Sequence, residues 1–230
     1  MLFRSGEERL HHYVRAFGIG EPTRLPLGGE VRGLFNPVKN WSKISVAWIP
    51  MGHEVATTPL QMVMAMSAIA NGGRLMRPML VSALVDAQGR KVAQMEPTTV
   101  RQVVSESAAR QMTQALKTAV LSGTGKRAKL EFYEVAGKTG TAQKLVDGRY
   151  SNTKHFASFI GFFPADAPEL CISVVMDEPK KGSYGGETAA PVWKRIAERT
   201  SSYLGIPPTQ GVEAPLLTGP AGAATGKTRL

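Results

Sequence analysis

The segment Gly137-Lys138-Thr139-Gly140-Thr141 carries the side chains best suited to binding chemistry in this sequence. It falls inside a stretch whose alternating pattern predicts a β-strand. On an extended segment a lysine and two hydroxyls place a cation beside two hydrogen-bond donors, and glycine lets a ligand backbone come close. Lys138, Thr139 and Thr141 are therefore candidates to hold a carboxylate, and nearby main-chain N–H groups can receive a developing oxyanion. The alternative is a polar edge strand whose lysine discourages aggregation.

Three strands and two long helices are predicted around this segment. Short turns separate consecutive strands, which implies an antiparallel sheet. One helix begins after the N-cap Ser105 and ends before Gly123. The predicted strands are Tyr133 to Leu145, His155 to Phe163 and Leu170 to Met176, and the predicted helices are Glu106 to Leu121 and Glu187 to Leu204. The fold class that follows is α+β, an antiparallel sheet packed by helices.

The first 75 residues predict two further helices and a long loop. Apolar residues at helical spacing indicate a surface helix from Glu7 to Phe17, whereas turn residues from Gly20 to Lys43 indicate a loop with at most short strand pieces. Thr58 as N-cap, followed by Pro59, begins another helix. Its stretch from Leu60 to Ala70 is apolar on nearly every side, so we expect it in the interior.

A second strand pair is predicted before residue 105. Met79 to Val85 and Thr99 to Val104 are rich in β-branched residues and flank the turn Asp86 to Gly89. This arrangement is typical of two short strands that pair with each other around a turn.

Composition excludes several classes of protein. Of the 230 residues 43% are hydrophobic and 20% charged, as in soluble globular domains, and no apolar run reaches the about 20 residues of a membrane span. The single cysteine, Cys171, cannot form an internal disulfide or a thiolate metal site and is interpreted as an inert core thiol. No signal peptide or membrane anchor is expected in this chain, because its N-terminus lacks an apolar region.

Charge and turn residues bear on partners and domain limits. The formal net charge of +10 predicts attraction to polyanions, but the basic residues are scattered, so nucleic acid is not the expected partner. Residues 207–230 are rich in proline and glycine and are predicted to be a disordered tail, which leaves 1–206 as the folded part.

The chain resembles the class B penicillin-binding proteins, the D,D-transpeptidases that cross-link peptidoglycan. The motif Lys138-Thr139-Gly140-Thr141 followed by Ala142-Gln143-Lys144 is similar to their Lys-Thr-Gly-Thr strand. So are four other stretches in the family's order, which are Gly52-His53-Glu54 to Gln61, Ala70-Asn71-Gly72-Gly73, Ser122-Gly123-Thr124-Gly125, and Tyr184-Gly185-Gly186 with Ala189-Ala190-Pro191. The resemblance implies the C-terminal portion of a transpeptidase domain with a β-lactamase-like fold.

The resemblance also implies roles for the motif. Lys138, Thr139, Gly140 and Thr141 would form the binding strand for the terminal carboxylate of a peptidoglycan stem peptide or the acid group of a β-lactam. Thr141 would offer its main-chain N–H to the oxyanion, so Lys138 and Thr141 are the candidate catalytic residues. The family needs no metal and no cofactor. Its members are membrane-anchored and act in the periplasm or at the cell-wall face of the membrane, with cell-wall synthesis partners.

Two family motifs are missing from these 230 residues. Ser-x-Asn does not occur, and Ser-x-x-Lys occurs once, at Ser151-Asn152-Thr153-Lys154, after the Lys-Thr-Gly-Thr strand and in a predicted hairpin loop. Outside a helix this spacing does not bring lysine onto serine, so the match is interpreted as chance. The expectation is a chain that binds the family's ligands and does not acylate by itself.

Other interpretations remain open at this point. The chain could be a non-catalytic, decayed homologue kept as a cell-division interaction protein, a serine hydrolase that uses Ser151 and Lys154, or a basic nucleic-acid binder. A metal site is not expected, because His53-Glu54 has Thr57 where a zinc protease needs histidine, and His11 and His12 are adjacent. Gly137-Lys138-Thr139 is not a phosphate loop, since Phe132 occupies the position of the required glycine.

Overall fold

The structure is a computed structural model, and it describes residues 6–180 and 182–211. Short antiparallel strand pairs and helices occupy the first part of the chain, and a three-stranded sheet followed by a helix occupies the second. The predicted α+β class is confirmed. In chain order the elements are α1 (Gly6–Ala16), β1 (Leu34–Phe35), α2 (Ser45–Trp48), β2 (Val55–Ala56), α3 (Pro59–Ala70), β3 (Arg74–Met76), β4 (Ala83–Val85), β5 (Lys91–Gln94), β6 (Thr99–Gln102), α4 (Glu106–Leu121), β7 (Ala136–Val146), β8 (Arg149–Phe163), β9 (Leu170–Asp177) and α5 (Ala189–Leu204).

The main sheet has the order β7-β8-β9 and is antiparallel throughout. The turn from β7 to β8 uses Asp147 and Gly148, both with positive φ, 50° and 76°. This is the backbone twist that tight hairpins favour, which explains the Asp-Gly pair in the sequence. The predicted three-strand arrangement is confirmed, and β7 is an edge strand.

Helices cover both faces of this sheet. On one face α5 inserts the fully buried Trp193 against Phe159 and Phe163, and its indole N–H donates to the carbonyl of Ile172 at 3.0 Å. On the other face Ala136 and Phe162 pack against side chains of α3 and α4. The buried aromatic rings supply most of the apolar area that holds α5 on the sheet.

The ring of Phe159 occupies space that three glycines leave open. A Cβ at Gly137 would lie 2.5 Å from its Cζ, one at Gly161 3.0 Å from its Cε1, and one at Gly125 3.2 Å from its Cε2. Gly137 and Gly161 are direct partners on β7 and β8. The absence of side chains at these positions therefore lets a large ring lie flat beneath the strand that carries the candidate site.

Helix α3 begins where the sequence predicts. The Thr58 hydroxyl accepts from the Gln61 N–H at 3.1 Å, and the Gln61 side chain accepts from the Thr58 N–H at 3.0 Å, so the two form a capping box. The predicted interior position of this helix is wrong. Of its residues only Gln61 and Ala68 are buried and Met62 is exposed, although α3 packs against the main sheet on one side and against β3 on another.

The predicted pairing of Met79 to Val85 with Thr99 to Val104 is also wrong. Strand β4 pairs with β5, and β6 pairs with β3. The turn at Asp86 is too short to skip a strand, because the Asp86 N–H donates to the carbonyl of Arg90 at 2.9 Å and the chain returns at once. Strand β5 has only four residues, with a polar one at each end, so it carries too little apolar alternation to be predicted.

The other predicted segments agree with the structure. Helices α1, α4 and α5 lie within two residues of their predicted limits, and residues 20–43 contain only β1 and a single 3-10 turn at Val38–Asn40. Of the predicted tail, residues 207–211 follow α5 outside any helix or strand, and the N–H groups of Thr209 and Gln210 donate to the carbonyl of Phe132. The rest of it, from residue 212, lies outside the described residues, so its disorder stays a prediction. No helix in the described ranges is long and apolar enough to cross a bilayer.

Candidate functional site

Strand β7 places Lys138 and the two threonines on opposite faces of the sheet. Side chains alternate along a strand, and Ala136, two residues before Lys138, packs with Phe162 towards α3 and α4. Thr139 lies opposite Phe159, which packs under α5. The cation and the hydroxyls are therefore not on one surface, and they can meet a common ligand only across the free edge of β7.

The Lys138 side chain is exposed and turns back along that edge. Its ammonium donates to the carbonyl of Thr139 at 2.9 Å. An exposed side chain reaches this carbonyl because the main chain of Thr139 faces away from β8. By the two-residue repeat of an antiparallel edge, the main chain of Thr141 faces outward as well. Its N–H is thus directed to the side of β7 where a ligand strand could pair, and the oxyanion role that the resemblance implies for Thr141 stays a prediction.

The hydroxyl of Thr139 lies beside a second hydroxyl, which was not among the site residues predicted from the sequence. Its Oγ1 is 2.7 Å from the Oγ1 of Thr124, in the loop that follows α4. A hydroxyl offers one hydrogen and two lone pairs, so one hydrogen of the pair is used between them and the other remains for a ligand. The Ser-Gly-Thr-Gly stretch marked this loop as family-like, but nothing in its spacing indicated a contact with Thr139.

The hydroxyl of Thr141 contacts the loop before α5. It accepts from the N–H of Gly185 at 3.2 Å, and this leaves its own hydrogen free to donate. Gly185 also accepts at its carbonyl from the N–H groups of Ala189 and Ala190, so the first turn of α5 begins beside Thr141. The positive end of the α5 dipole adds to the attraction for an anion here.

Two glycines make this close packing possible. A Cβ on Gly140 would collide with the hydroxyl of Ser158, and one on Gly185 would collide with the carbonyls of Ser158 and Gly140. Because backbone atoms cannot move aside cheaply, the 183–188 loop can lie on β7 and β8 only with glycine at 185.

These groups form a binding surface without a nucleophile. No described carboxylate or imidazole hydrogen-bonds to the hydroxyls of Thr124, Thr139 or Thr141. A threonine hydroxyl at its ordinary pKa needs an adjacent base to attack a carbonyl. The arrangement can orient an anionic peptide and donate hydrogen bonds to it.

Ser151 and Lys154 do not form a catalytic pair. Ser151 lies on β8, not in the hairpin loop predicted for it, and its hydroxyl accepts from the N–H groups of Thr153 and Lys154 at 3.2 and 3.1 Å. The Lys154 ammonium lies 3.9 Å from Glu178 instead of on the serine. The hydroxyl is occupied by its own backbone, and the nearest ammonium is neutralised.

Lys144, in the stretch that continues the family motif, has a structural contact. Its ammonium lies 2.7 Å from both Asp177 and Glu178 at the end of β9. The hydrogen bond that the ammonium donates to Asp177, and then the one that it donates to Glu178, raise the pKa of Lys144. This ion pair ties the far ends of the outer strands together and leaves Lys138 as the cation nearest to the threonines in the motif.

The remaining candidates from the sequence take no part in this site. Cys171 faces α3, where its Sγ lies 3.9 Å from the carbonyl of Val63, and burial raises the pKa of the thiol to about 11. The ring of His53 packs at a tilt against Trp48 and edge-to-face against Tyr150. In the residues that the structure describes, no three His, Cys, Asp or Glu side chains are placed to hold a metal ion.

The fold is that of a penicillin-binding protein transpeptidase domain. The family model of the penicillin-binding protein transpeptidase domain matches residues 3–198, and the chain belongs to this family. The resemblance seen in the sequence is confirmed, and the named relatives are class B penicillin-binding proteins.

Particular relatives are similar over most of this chain. It is 40% identical over 207 residues to stage V sporulation protein D of Bacillus subtilis, which covers 89% of this chain and 32% of that protein. It is 32% identical over 220 residues to the probable peptidoglycan D,D-transpeptidase PenA of Neisseria meningitidis, which covers 95% of this chain and 36% of that protein. The chain thus spans about a third of the length of these relatives.

Solved structures share the fold. Penicillin-binding protein 3 of Mycobacterium tuberculosis in complex with ampicillin superposes with a TM-score of 0.83 at 33% identity, covering 93% of this chain and 50% of that one. The transpeptidase domain of Burkholderia pseudomallei penicillin-binding protein 3 gives a TM-score of 0.78 at 30% identity, with 89% and 60% covered.

Proposed function

We propose that this chain supplies the carboxylate-binding strand of a peptidoglycan D,D-transpeptidase. The observation that carries the proposal is the free edge of β7, where two threonine hydroxyls retain hydrogens to donate and the N–H of Thr141 faces outward. An extended peptide that ends in a carboxylate fits this edge, because it can pair with the outward main chain while its carboxylate meets the hydroxyls.

The ligand class follows from charge and shape. The stem peptides of peptidoglycan end in a free carboxylate, and β-lactams carry an acid group beside an amide-like ring. Lys138 contributes positive charge at the edge, and the start of α5 contributes a partial positive charge behind Thr141. The N–H of Thr141 would serve as one of the two donors that an oxyanion needs.

The proposal includes no covalent step by this chain alone. The 230 residues contain no Ser-x-Asn, and the single Ser-x-x-Lys has its serine hydroxyl bonded to its own backbone. Donors that bind an oxyanion accelerate acyl transfer only when a nucleophile attacks. We therefore expect these residues to bind the ligand without becoming acylated.

The setting of the reaction is proposed from the family. The complete transpeptidase would be anchored in the cytoplasmic membrane, with this strand on the periplasmic or cell-wall side and with cell-wall synthesis partners. No residue of the proposed site calls for a cofactor, because hydroxyls, an ammonium and main-chain N–H groups supply all the contacts.

Binding and acylation can be measured on the same sample. Titration with benzylpenicillin should shift the amide signals of Lys138 to Thr141 in NMR spectra with a saturable curve, while intact-protein mass spectrometry shows no adduct. Lys138→Met should weaken binding several-fold, because it removes a charge-assisted contact. The matched control is Lys154→Met, an exposed lysine of the same hairpin.

Each result has a definite meaning. The methyl ester of benzylpenicillin lacks the acid group and should bind more weakly to the wild type. If the wild type shows no shifts in β7, or if ester and acid bind equally, the binding role is wrong. A covalent adduct that survives in Ser151→Ala would show that another residue of the chain attacks.

A second candidate is the non-catalytic interaction protein, and the β4–β5 hairpin favours it. Leu84, Val85 and Val92 on this hairpin are 49%, 60% and 64% exposed. Apolar side chains so exposed are typical of protein contacts. If this second function is correct, replacement of all three by threonine should abolish capture of a division or elongation partner and leave penicillin binding unchanged. If the chain acts only through the carboxylate-binding strand, the replacement should change neither partner capture nor penicillin binding.

A further inference from the structure

A cavity of about 390 Å³ lies on the other side of α3 from the main sheet. Its walls come from the loop after α1, from α3, and from strands β3 and β6 with the residues that follow β3. None of its lining residues belongs to β7 or to the loops that contact Thr139 and Thr141. The volume falls within the range of pockets that hold small organic molecules.

The inner wall of this cavity is apolar. Phe17, Met64 and Leu75 line it, and Leu75 is 7% exposed. Met64 and Leu75 also belong to the small core between α1, α3 and β3, so the wall is held in place by packing. A hydrocarbon or aromatic group bound there would remove apolar surface from water, which favours binding.

The mouth of the cavity is positively charged. Arg24, Arg77 and Arg101 line it together with a single acid, Glu21. Glu21 is shared, since its Oε1 lies 2.7 Å from Arg15 and its Oε2 lies 3.4 Å from Arg101. Within residues 6–180 and 182–211, Arg24 and Arg77 form no ion pair with a carboxylate. The cavity therefore combines an apolar wall with two cations that lack a counter-ion.

The rim is fixed by hydrogen bonds before any ligand binds. The Glu30 carboxylate accepts from the N–H groups of Thr23 and Arg24 at 2.6 and 3.0 Å. This holds Arg24 at a φ of 62°, a left-handed conformation that costs a residue with a side chain of this size about 1 kcal/mol or more. The hydrogen bond with the Thr23 side chain lowers the pKa of Glu30, and so do those from the backbone N–H groups of Thr23 and Arg24. The carboxylate therefore stays charged.

The floor is fixed in the same way. The buried side chain of Gln61 donates to the carbonyls of Glu21 and Arg32 at 2.8 and 2.9 Å, which ties the loop to α3. The Arg101 Nε donates to the carbonyl of Ala16 at 2.9 Å, which ties the end of α1 to β6. A pocket whose walls are already ordered loses little entropy when a ligand enters.

We propose that this cavity binds a small organic anion, a molecule with an apolar body and one carboxylate or phosphate group. The body lies against Phe17, Met64 and Leu75, and the anionic group lies between Arg24 and Arg77. Carboxylate and phosphate share the geometry that guanidinium groups recognise. This site is independent of the proposed function of β7.

The test uses the full chain and three related probes. We expect 2-naphthoate and 2-naphthyl phosphate to shift the methyl NMR signals of Met64 and Leu75 with saturable curves, and neutral 2-naphthylmethanol to bind about tenfold more weakly because it lacks the charge-assisted contacts. Binding of either anion supports the proposal, and the ratio of their affinities identifies the preferred head group.

Variants separate this site from unspecific attraction to a basic protein. Arg77→Met and Arg24→Asn should each weaken anion binding about fivefold or more. Asparagine tolerates the left-handed conformation at residue 24, and both arginines are exposed, so the fold should be retained. The matched control is Arg74→Met on β3, which does not line the cavity.

Three results would overturn the proposal. They are the absence of saturable shifts at ~10 mM of both anions, equal affinity for the neutral probe, and equal weakening by the Arg74 and Arg77 variants. If one of the variants Arg24→Asn and Arg77→Met also changes NMR signals away from the cavity, the other variant is compared with Arg74→Met in its place.

Discussion

The hydroxyl oxygens of Thr124 and Thr139 lie 2.7 Å apart, one on the loop after α4 and the other on the edge strand β7. Loss of either hydroxyl still leaves one hydrogen for a ligand, but it removes the hydrogen-bond partner that orients the remaining hydroxyl. With both present, Thr139 can accept from Thr124 and direct its own hydrogen outward. Thr124 therefore acts on the ligand through Thr139, and the two residues should respond to mutation as a unit.

The first prediction concerns this pair. Thr124→Val leaves the shape nearly unchanged and removes the hydroxyl, so Thr139 loses the partner that orients it. We expect the dissociation constant for benzylpenicillin to rise about three- to tenfold, the loss of roughly one hydrogen bond, and Thr124→Ser to restore most of it. NMR titration measures both. Thr118→Val, whose hydroxyl bonds only to its own helix at Gln114, is the control, and an equal effect there would refute the role of Thr124.

The second prediction concerns the glycine that lets the 183–188 loop lie on the sheet. Gly185→Ala forces a Cβ against the carbonyls of Ser158 and Gly140. We expect a loss of about 1–3 kcal/mol in the free energy of unfolding, since backbone must shift, and a Tm lower by several degrees. Gly28→Ala has open space around the new Cβ and should leave Tm nearly unchanged. Calorimetry that shows equal Tm for both variants would contradict the packing described.

The third prediction is a pH dependence at α4. The ammonium of Lys117 is nearly buried and contacts Glu134 and, at 3.0 Å, Asp166. The hydrogen bond from Lys117 lowers the pKa of Asp166, and the hydrogen bonds that Lys117 donates to Glu134 and then to Asp166 raise the pKa of Lys117. A lowered carboxyl pKa gives stability that is present above its unfolded value of about 3.9 and is lost as the pH falls through the folded value.

Asp166→Asn should therefore destabilise the protein at pH 7, and its effect should shrink as the pH falls below about 3.9. The difference should be small, below about 1 kcal/mol, because the Asp166 side chain is 65% exposed. Urea unfolding between pH 7 and 3 measures it, with the exposed Glu169→Gln as the control. A difference that stays constant with pH would exclude the ion pair as its cause.

The fourth prediction uses the single cysteine. Burial raises the pKa of Cys171 to about 11, so about one thiol in a thousand is ionised at pH 8. Because the thiolate is the reactive form, the native protein should react with a disulfide reagent at least about 100-fold more slowly than the chain in urea. Absorbance of the released thiol gives both rates, and Cys171→Ser gives the background. Similar rates would mean that the contact with α3 opens readily.

Local sequence signals predicted most helices and strands of this fold, because capping and turn residues mark where these elements begin and end. Thr58 with Pro59 and Ser105 mark helix starts, and the Asp147-Gly148 turn fixes the register of the longest hairpin. The errors lie where tertiary contacts decide. The short strand β5 is held by its pairing with β4, and the position of α3 depends on which of its sides meet the main sheet and β3.

The candidate site was predictable in its residues and not in its geometry. The motif gave Lys138, Thr139, Gly140 and Thr141, but the two-residue repeat of β7 sends Lys138 to the face opposite the threonines. The contacts of Thr124 and Gly185 join segments 15 and 44 residues away from their threonines. No spacing rule reaches across such separations, because the path of the intervening chain sets them.

The ring of Phe159 limits which residues can replace the three glycines that border it, so the residue types at these four positions depend on one another. Gly125, Gly137 and Gly161 all border this ring, and at Gly137 the ring is the nearest obstacle to an added methyl group, because its Cζ would lie 2.5 Å from the new Cβ. Gly137→Ala combined with Phe159→Leu should therefore recover part of the stability that the alanine alone removes. Substitutions at these four positions are expected to occur together, with a larger residue at a glycine accompanied by a smaller one at residue 159. The size of this ring therefore limits the variation that the edge strand tolerates.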